Sequence, residues 1–245
     1  MKGVILAGGT GSRLSPLTLV TNKHLLPVYN KPMIYYPLEC MAKSGINEIL
    51  VVTGGNNSGD FIRLLKNGAE FGLQNLNYTF QDGAGGIAQA LGLAEHFAEG
   101  DSICLVLGDN ITEYCIGEAV KRFKHQGEGA KILLSQVENP KAYGVAEMDG
   151  DRVVKIVEKP KEPKSNWAVI GIYFYDNKVF EIVKTLKPSA RNELEITDVN
   201  NAYIERGEMT ADKIEGWWAD AGENIDFYLK ACNTISKCGA NKDGK

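Results

Sequence analysis

Apolar positions in the first half of the chain follow two alternating patterns. Short continuous runs, such as Ile103-Cys104-Leu105-Val106-Leu107, read as strands buried on both faces. Between them lie stretches whose apolar residues repeat at helical spacing. The pattern predicts strands over residues 2–6, 48–53, 77–80 and 102–107, and helices over 33–43, 60–70 and 87–97. Gly45 and Gly72 stand after two of these helices as stop signals. Strands alternating with helices imply an α/β fold with a mostly parallel sheet covered on both faces.

The second half changes rhythm. Short strands are predicted over 145–148, 153–158 and 169–175, with Asp149-Gly150 between the first two as a hairpin signal. Pro160, Pro163 and the lysines around them form a polar loop, and helices follow over 196–206 and 225–235. This part reads as a mixed-sheet lobe. No linker, repeat or low-complexity segment separates the halves. One domain over 1–237 is therefore expected, with halves 1–112 and 113–237 and a polar tail, 238–245, that frays.

Composition narrows the class. The 245 residues are 44% hydrophobic, enough for a substantial core, and the net charge of −4 weighs against a general nucleic-acid binder. Five cysteines with no CxxC pair and no zinc spacing fit a reducing compartment. Cys104, inside an apolar run, reads as a core residue. No apolar stretch reaches membrane-spanning length, and no signal-peptide pattern precedes the first strand, so a cytoplasmic location is expected.

The candidate chemistry begins where the first strand ends. Gly8-Gly9-Thr10-Gly11-Ser12-Arg13 follows it, and Lys23 comes ten residues later. Glycines let backbone N–H groups approach a polyphosphate closely, and Arg13 and Lys23 add charged donors. A nucleoside triphosphate site beyond the strand ends is the prediction. A P-loop is excluded because no Gly-Lys-Ser/Thr follows, and a dinucleotide fingerprint because Leu14 replaces the third glycine. Gly108-Asp109-Asn110 falls at the same edge. Asp109 is a magnesium candidate, because that ion prefers carboxylate and phosphate oxygens; the alternative is a turn or cap aspartate. The three histidines are scattered and no G-x-S-x-G occurs, so no nucleophilic triad is indicated.

Gly8–Leu14 with Pro16-Leu17-Thr18, then Lys23-x-Leu25-Leu26-Pro27-Val28, resembles the signature of the sugar-1-phosphate nucleotidylyltransferases. Lys31-Pro32-Met33-Ile34-Tyr35-Tyr36-Pro37-Leu38 is similar to the members that transfer thymidylyl groups to glucose 1-phosphate, and the resemblance runs from Met1 to about Ile235. It implies a Rossmann-like fold of the nucleotide-diphospho-sugar transferase type, with dTTP and glucose 1-phosphate as substrates, dTDP-glucose and pyrophosphate as products and Mg2+ as cofactor. Arg13, Lys23 and Lys159 become the expected catalytic cations. Leu6, Gly8, Gly9, Thr10, Gly11, Ser12, Arg13, Gln81, Gly86 and Asp109 are assigned to the nucleotide. In that set Gln81 offers an amide to the base edge, and Gly86 opens a helix so that the base can approach backbone. Asp109 and Asp220 are the metal pair, although Ala221 stands where relatives usually carry Thr.

Tyr143, Gly144, Glu158, Lys159, Val169, Arg191 and Trp218 are assigned to the sugar phosphate. Lys159 neutralises the phosphate, with Arg191 as a second cation. Glu158 and Gly144 meet sugar hydroxyls, and the aromatic residues with Val169 wall the pocket. Core packing or a solvated charge pair is the competing explanation for several of these. A UTP-preferring enzyme and a non-catalytic nucleotide-sugar sensor are the rival functions. The resemblance also implies a homo-oligomer, tetrameric in relatives, with no nucleic-acid or membrane partner, feeding dTDP-rhamnose or other deoxysugar synthesis. Longer relatives carry further C-terminal helices at an allosteric site, so any end-product inhibition here is expected to be competitive.

Overall fold

The computed structural model describes residues 1–244, with Asn56 through its backbone alone. The fold is α/β, and its contacts divide the chain into two compact units. The first, which holds the glycine loop, gathers Lys2–Ala84, Val106–Glu118 and the chain from Glu215 onward. The second gathers Gly85–Leu105 and Ala119–Ile214, with Met1.

In the glycine-loop unit the strand Lys2–Ala7 is buried along its whole length. It pairs in parallel with Glu48–Gly54, which pairs in parallel with Asn75–Gln81. The register sets Ala7 beside Thr53 and Gly54 beside Gln81, so the three carboxyl ends lie side by side. A parallel sheet presents its ligand sites beyond those ends. Two short antiparallel ribbons complete the unit: Pro27–Val28 with Lys31–Pro32, and Asn110–Thr112 with Trp218–Asp220. A core of Leu14, Val28, Met33, Tyr36, Ile111, Ala221 and Ile235 ties together the glycine loop, both ribbons and the helices Tyr35–Lys43 and Ile225–Cys238. The Tyr36 hydroxyl, buried there, donates to the Val28 carbonyl at 2.7 Å and is thereby satisfied.

The second unit is mixed, as the change of rhythm predicts. Gly144–Asp149 and Arg152–Glu158 form the hairpin, with Gly150 at φ +60° in its turn. Val145 pairs with Ala168 in the strand Trp167–Tyr175. That strand runs antiparallel to Ala130–Gln136, which runs parallel to Met209–Lys213. Tyr175 and Tyr203 stack with centroids 5.8 Å apart, and their hydroxyls donate to Asn200 Oδ1 and Asp176 Oδ1 at 2.7 Å each.

Three elements differ from the sequence-based expectation. The helix expected over 60–70 is Ser58–Leu65, because Lys66 takes φ +50° and Gly68 φ +79°; only one tight turn, Ala69–Phe71, follows. The helix expected over 87–97 is broken into Ile87–Gly92 and Glu95–Ala98, where Leu93 and Ala94 donate three residues back, to Ala90 and Leu91. Beyond the last helix, Asn241 and Lys242 are docked instead of frayed, and residue 245 of the expected tail lies outside the described residues. Asn241 is buried and donates to the Tyr36 carbonyl at 2.8 Å, and the Lys242 carbonyl accepts from the Cys115 N–H at 2.8 Å. Among the described residues no helix is long and apolar enough to cross a membrane.

Candidate active site

The glycine loop is fixed at both ends. Leu14, fully buried, anchors the single turn Ser12–Leu14, and Thr18 Oγ1 donates to the Gly11 carbonyl at 2.9 Å. Gly8 lies against the Gln81 side chain: a Cβ there would come within 3.3 Å of Gln81 Oε1. The structure thus brings the expected base-reading amide to the expected phosphate loop. Arg13 stays on the surface, where its Nη1 donates to Glu223 Oε2 at 2.6 Å.

Lys23 is positioned by its neighbours. Asn22 Nδ2 donates to the Ala7 carbonyl at 3.2 Å, and Asn22 Oδ1 accepts from the His24 N–H at 2.9 Å. His24 is buried, with Nδ1 2.8 Å from the same oxygen. Burial and the neighbouring Lys23 charge lower its pKa to about 3, so the imidazole is neutral near pH 7. The short turn Lys23–Leu25 then directs Lys23 Nζ to Asp109 Oδ2 at 2.5 Å. Asp109 itself is held by backbone bonds on both sides: the Gly108 N–H donates to Leu6, and the Ala221 N–H donates to the Asp109 carbonyl, each at 2.9 Å.

Asp220 reaches the same place through the second ribbon, where it pairs with Asn110. The Gly222 N–H donates to Asp220 Oδ1 at 3.0 Å. At Gly222 a Cβ would collide with Asp109 Oδ2 and Lys23 Nζ, so any larger residue would have to displace that pair. Ala221 packs into the apolar core, so a methyl is well accommodated where relatives carry Thr. Trp218 belongs to this cluster as well, donating from Nε1 to Asn110 Oδ1 at 2.7 Å.

The three charges are coupled. Burial would raise the Asp109 pKa, but the Lys23 ammonium and hydrogen bonds outweigh it and hold the carboxyl well below its usual range. Burial likewise works against the Lys23 charge, and Asp109, by charge and hydrogen bond, more than restores it. At Asp220 the Lys23 charge and the Gly222 hydrogen bond are outweighed. Burial and the Asp109 charge push its pKa up to about 7.

The second unit holds its own cluster. Glu158, last in its strand, pairs with Gly144 across the hairpin, and its Oε2 accepts from Thr197 Oγ1 at 2.9 Å. The Lys159 N–H donates to the Tyr143 carbonyl at 3.1 Å, and Lys159 takes φ +44°, an unusual conformation for a residue with a Cβ. Val169 is buried in the strand Trp167–Tyr175. Arg191 is engaged by carboxylates. It donates to both oxygens of Glu195, at 3.1 and 2.7 Å, and lies 3.7 Å from Glu158 and Glu193. Gly86, at φ +93°, is pressed against the Leu194 backbone, where any Cβ would clash. Its helix is thereby joined to the Arg191 segment, since the Leu194 N–H donates to Gly85 and the Ala88 N–H to Leu194.

Sequence reasoning passed over several contributors. Asn22 and His24 lie inside the Lys23 motif without an assigned role. Glu223 had no signal, because its partner Arg13 is 210 positions away. Glu195 and Thr197, which hold Arg191 and Glu158, read only as the opening of a helix.

Comparison with known proteins supplies the frame for these clusters. The nucleotidyl transferase family model matches residues 2–237. A glucose-1-phosphate thymidylyltransferase of Neisseria meningitidis is 47% identical over 235 residues, covering 94% of this chain and 81% of its own. One from Mycolicibacterium smegmatis is 46% identical over 239 residues, covering 96% and 82%. Among solved structures, a Bacillus anthracis protein described as a glucose-1-phosphate thymidylyltransferase, crystallised with sucrose, superposes with TM-score 0.93 at 50% identity, covering 100% of this chain and 98% of its own. A UDP-glucose pyrophosphorylase complexed with UDP-glucose shares the fold at TM-score 0.85 and 24% identity, over 96% of this chain and 98% of its own. With the model matched from the first strand to the last helix and near-half identity to full-length relatives, the chain belongs to the nucleotidyl transferase family.

Proposed function

We propose that this protein joins dTTP and glucose 1-phosphate into dTDP-glucose and pyrophosphate, with Mg2+ held by Asp109 and Asp220. Near-half identity to enzymes of that name supports the substrates. The observation that carries the chemistry is the cluster of Lys23, Asp109 and Asp220 in the unit that also holds the glycine loop at the strand ends.

In the proposed reaction a phosphate oxygen of glucose 1-phosphate attacks the α-phosphorus of dTTP. The bond from that phosphorus to the bridging oxygen breaks, and pyrophosphate leaves. The nucleophile is already an anion, so no general base is required, and the work lies in alignment and charge neutralisation. The amides of residues 8–12 and Arg13 take the triphosphate, with Lys23 moving from Asp109 to a phosphate oxygen. Gln81, Leu6 and Gly86 serve the base and nucleoside. Lys159 and Arg191 neutralise the sugar phosphate, Glu158 and Gly144 receive sugar hydroxyls, and Tyr143, Val169 and Trp218 wall the sugar.

The aspartate pair suits a hard divalent cation. Burial and Asp109 push the Asp220 pKa up, so a cation beside the two carboxylates would favour the ionised form. Among the described residues no cluster of three or more His, Cys, Asp or Glu forms a closed cage. Two carboxylates, completed by waters and substrate phosphates, is the pattern Mg2+ favours. Bound there, Mg2+ would supply charge neutralisation to the triphosphate. On the family resemblance we place the protein as a homo-oligomer feeding deoxysugar synthesis, with small molecules as its substrates, and on cysteine usage and the sequence pattern we place it in the cytoplasm.

Pyrophosphate release with glucose 1-phosphate and Mg2+, compared across dTTP, UTP, dCTP, ATP and GTP, tests the proposal. Fastest release with dTTP is expected. A UTP preference would reassign it as a uridylyltransferase, and no release with any of them would point to a different sugar phosphate or to a nucleotide-sugar sensor.

A further inference from the structure

Two of the five cysteines meet, and neither belongs to the site above. Cys40 is buried on the helix Tyr35–Lys43, and Cys115 is half-buried just beyond the strand Asn110–Thr112. The Cys40 thiol is hydrogen-bonded to the Cys115 sulfur. We propose that Cys40 and Cys115 form an oxidisable dithiol, which a low-molecular-weight disulfide such as oxidised glutathione converts to an intramolecular disulfide.

The surroundings hold the pair in register. Cys115 is clasped by the docked C-terminal segment: its N–H donates to the Lys242 carbonyl at 2.8 Å and its Sγ to the Asn241 carbonyl at 3.3 Å. Lys43, one helical turn after Cys40 and on the same helix face, donates from Nζ to that same Asn241 carbonyl at 2.9 Å. One helix face thus presents a thiol and an ammonium to Cys115. The Cys40 hydrogen bond lowers the Cys115 pKa; burial opposes it, Lys43 adds to it, and Asp243 and Glu39 oppose it, with a net downward shift. A thiol of lowered pKa, partly open to solvent and touching a second thiol, is the arrangement that redox-active cysteines share.

Cys104 is fully buried, and burial drives its pKa far up. Cys232 accepts from the Tyr29 N–H at 3.4 Å, and Cys238 is exposed on the last helix.

The exchange proceeds in two steps. The Cys115 thiolate attacks one sulfur of oxidised glutathione, forming a mixed disulfide and releasing one glutathione thiolate. Cys40, giving its proton to solvent, then attacks Cys115 Sγ and displaces the second glutathione thiolate. Two protein thiols are oxidised, and the reagent is reduced to two thiols. The new bond would tie the helix to the segment leading away from Asp109.

Intact protein is incubated with oxidised glutathione, alkylated, digested without reductant and analysed by mass spectrometry. The expected product is one linked peptide pair, Cys40 to Cys115, with the other three cysteines alkylated as thiols and the link reversed by dithiothreitol. Cys40→Ala should instead trap a glutathione adduct on Cys115, and Cys115→Ser should show neither product. Alkylation of both Cys40 and Cys115 in the treated wild type would overturn the proposal. So would an adduct confined to Cys238. The wild-type result decides the matter even if the Cys40 variant fails to fold.

Discussion

Arg13 is held by a neighbouring carboxylate, which in the proposed reaction a triphosphate would have to displace. Its pair with Glu223 at 2.6 Å lies at the surface, where such a contact contributes about 0.2–1 kcal/mol. Glu223→Gln should therefore lower the KM for dTTP by up to about fivefold with kcat little changed, in steady-state assays at low salt. An unchanged or raised KM would show that Glu223 orients Arg13 instead of competing for it. Asp220 makes the opposite kind of prediction. Folded, it keeps its proton up to about pH 7; unfolded, it releases it near 3.8. Folding therefore takes up a proton between those values, and this group's contribution to stability falls as pH rises through 7. Asp220→Asn should raise the melting temperature of metal-free protein at pH 8 by a few degrees, should lose that advantage near pH 4, and should cut turnover by roughly 10²-fold or more. Arg13, Lys23, Asp109 and Asp220 are named by motif and family resemblance, and the structure brings the last three together. Their ionic partners were not legible in the sequence, because pairing between positions 210 apart leaves no trace in local spacing.

At the scale of elements, long apolar runs were readable and short ones were not. Lys2–Ala7 and Ile103–Leu107 announce themselves because burial on both faces demands continuous apolar sequence. The ribbon of Asn110–Thr112 and Trp218–Asp220, three residues a side, is too short to show a period, yet it sets Asp220 in register with Asn110, the residue after Asp109. Helix ends were blurred for a related reason: Lys66 takes a left-handed conformation although nothing in its side chain favours it. The last helix, Ile225–Cys238, starts on a cap that can be removed cleanly. Asn224 Oδ1 accepts from the Phe227 N–H at 3.0 Å. Asn224→Ala should cost about 1 kcal/mol, a fall in melting temperature of about 2–4 °C by calorimetry.

For the molecule as a whole, a split into consecutive halves was the natural expectation, and the units are instead interleaved in sequence. The chain from Glu215 onward joins the glycine-loop unit, and Gly85–Leu105 joins the other. Hydrophobic pattern says that a segment is a strand without saying which strand it will pair with, so Ala130–Gln136 and Met209–Lys213 could not be partnered in advance. Ligand binding gives this scale its prediction. A nucleotide at about 100 times its Kd stabilises the native state by about 2.7 kcal/mol, about 5–11 °C for a chain of this size. Thermal-shift measurements should show that rise for dTTP with Mg2+, and Asp109→Asn should abolish most of it.

Lys23 resting on Asp109 also bears on how the protein can be handled. Asp109 carries its own counter-ion in Lys23, so on the proposed reading removal of Mg2+ leaves that carboxylate paired. Chelator in a purification buffer should therefore silence the enzyme without unravelling it. Adding Mg2+ back should restore turnover as fast as solutions mix, with no refolding step between.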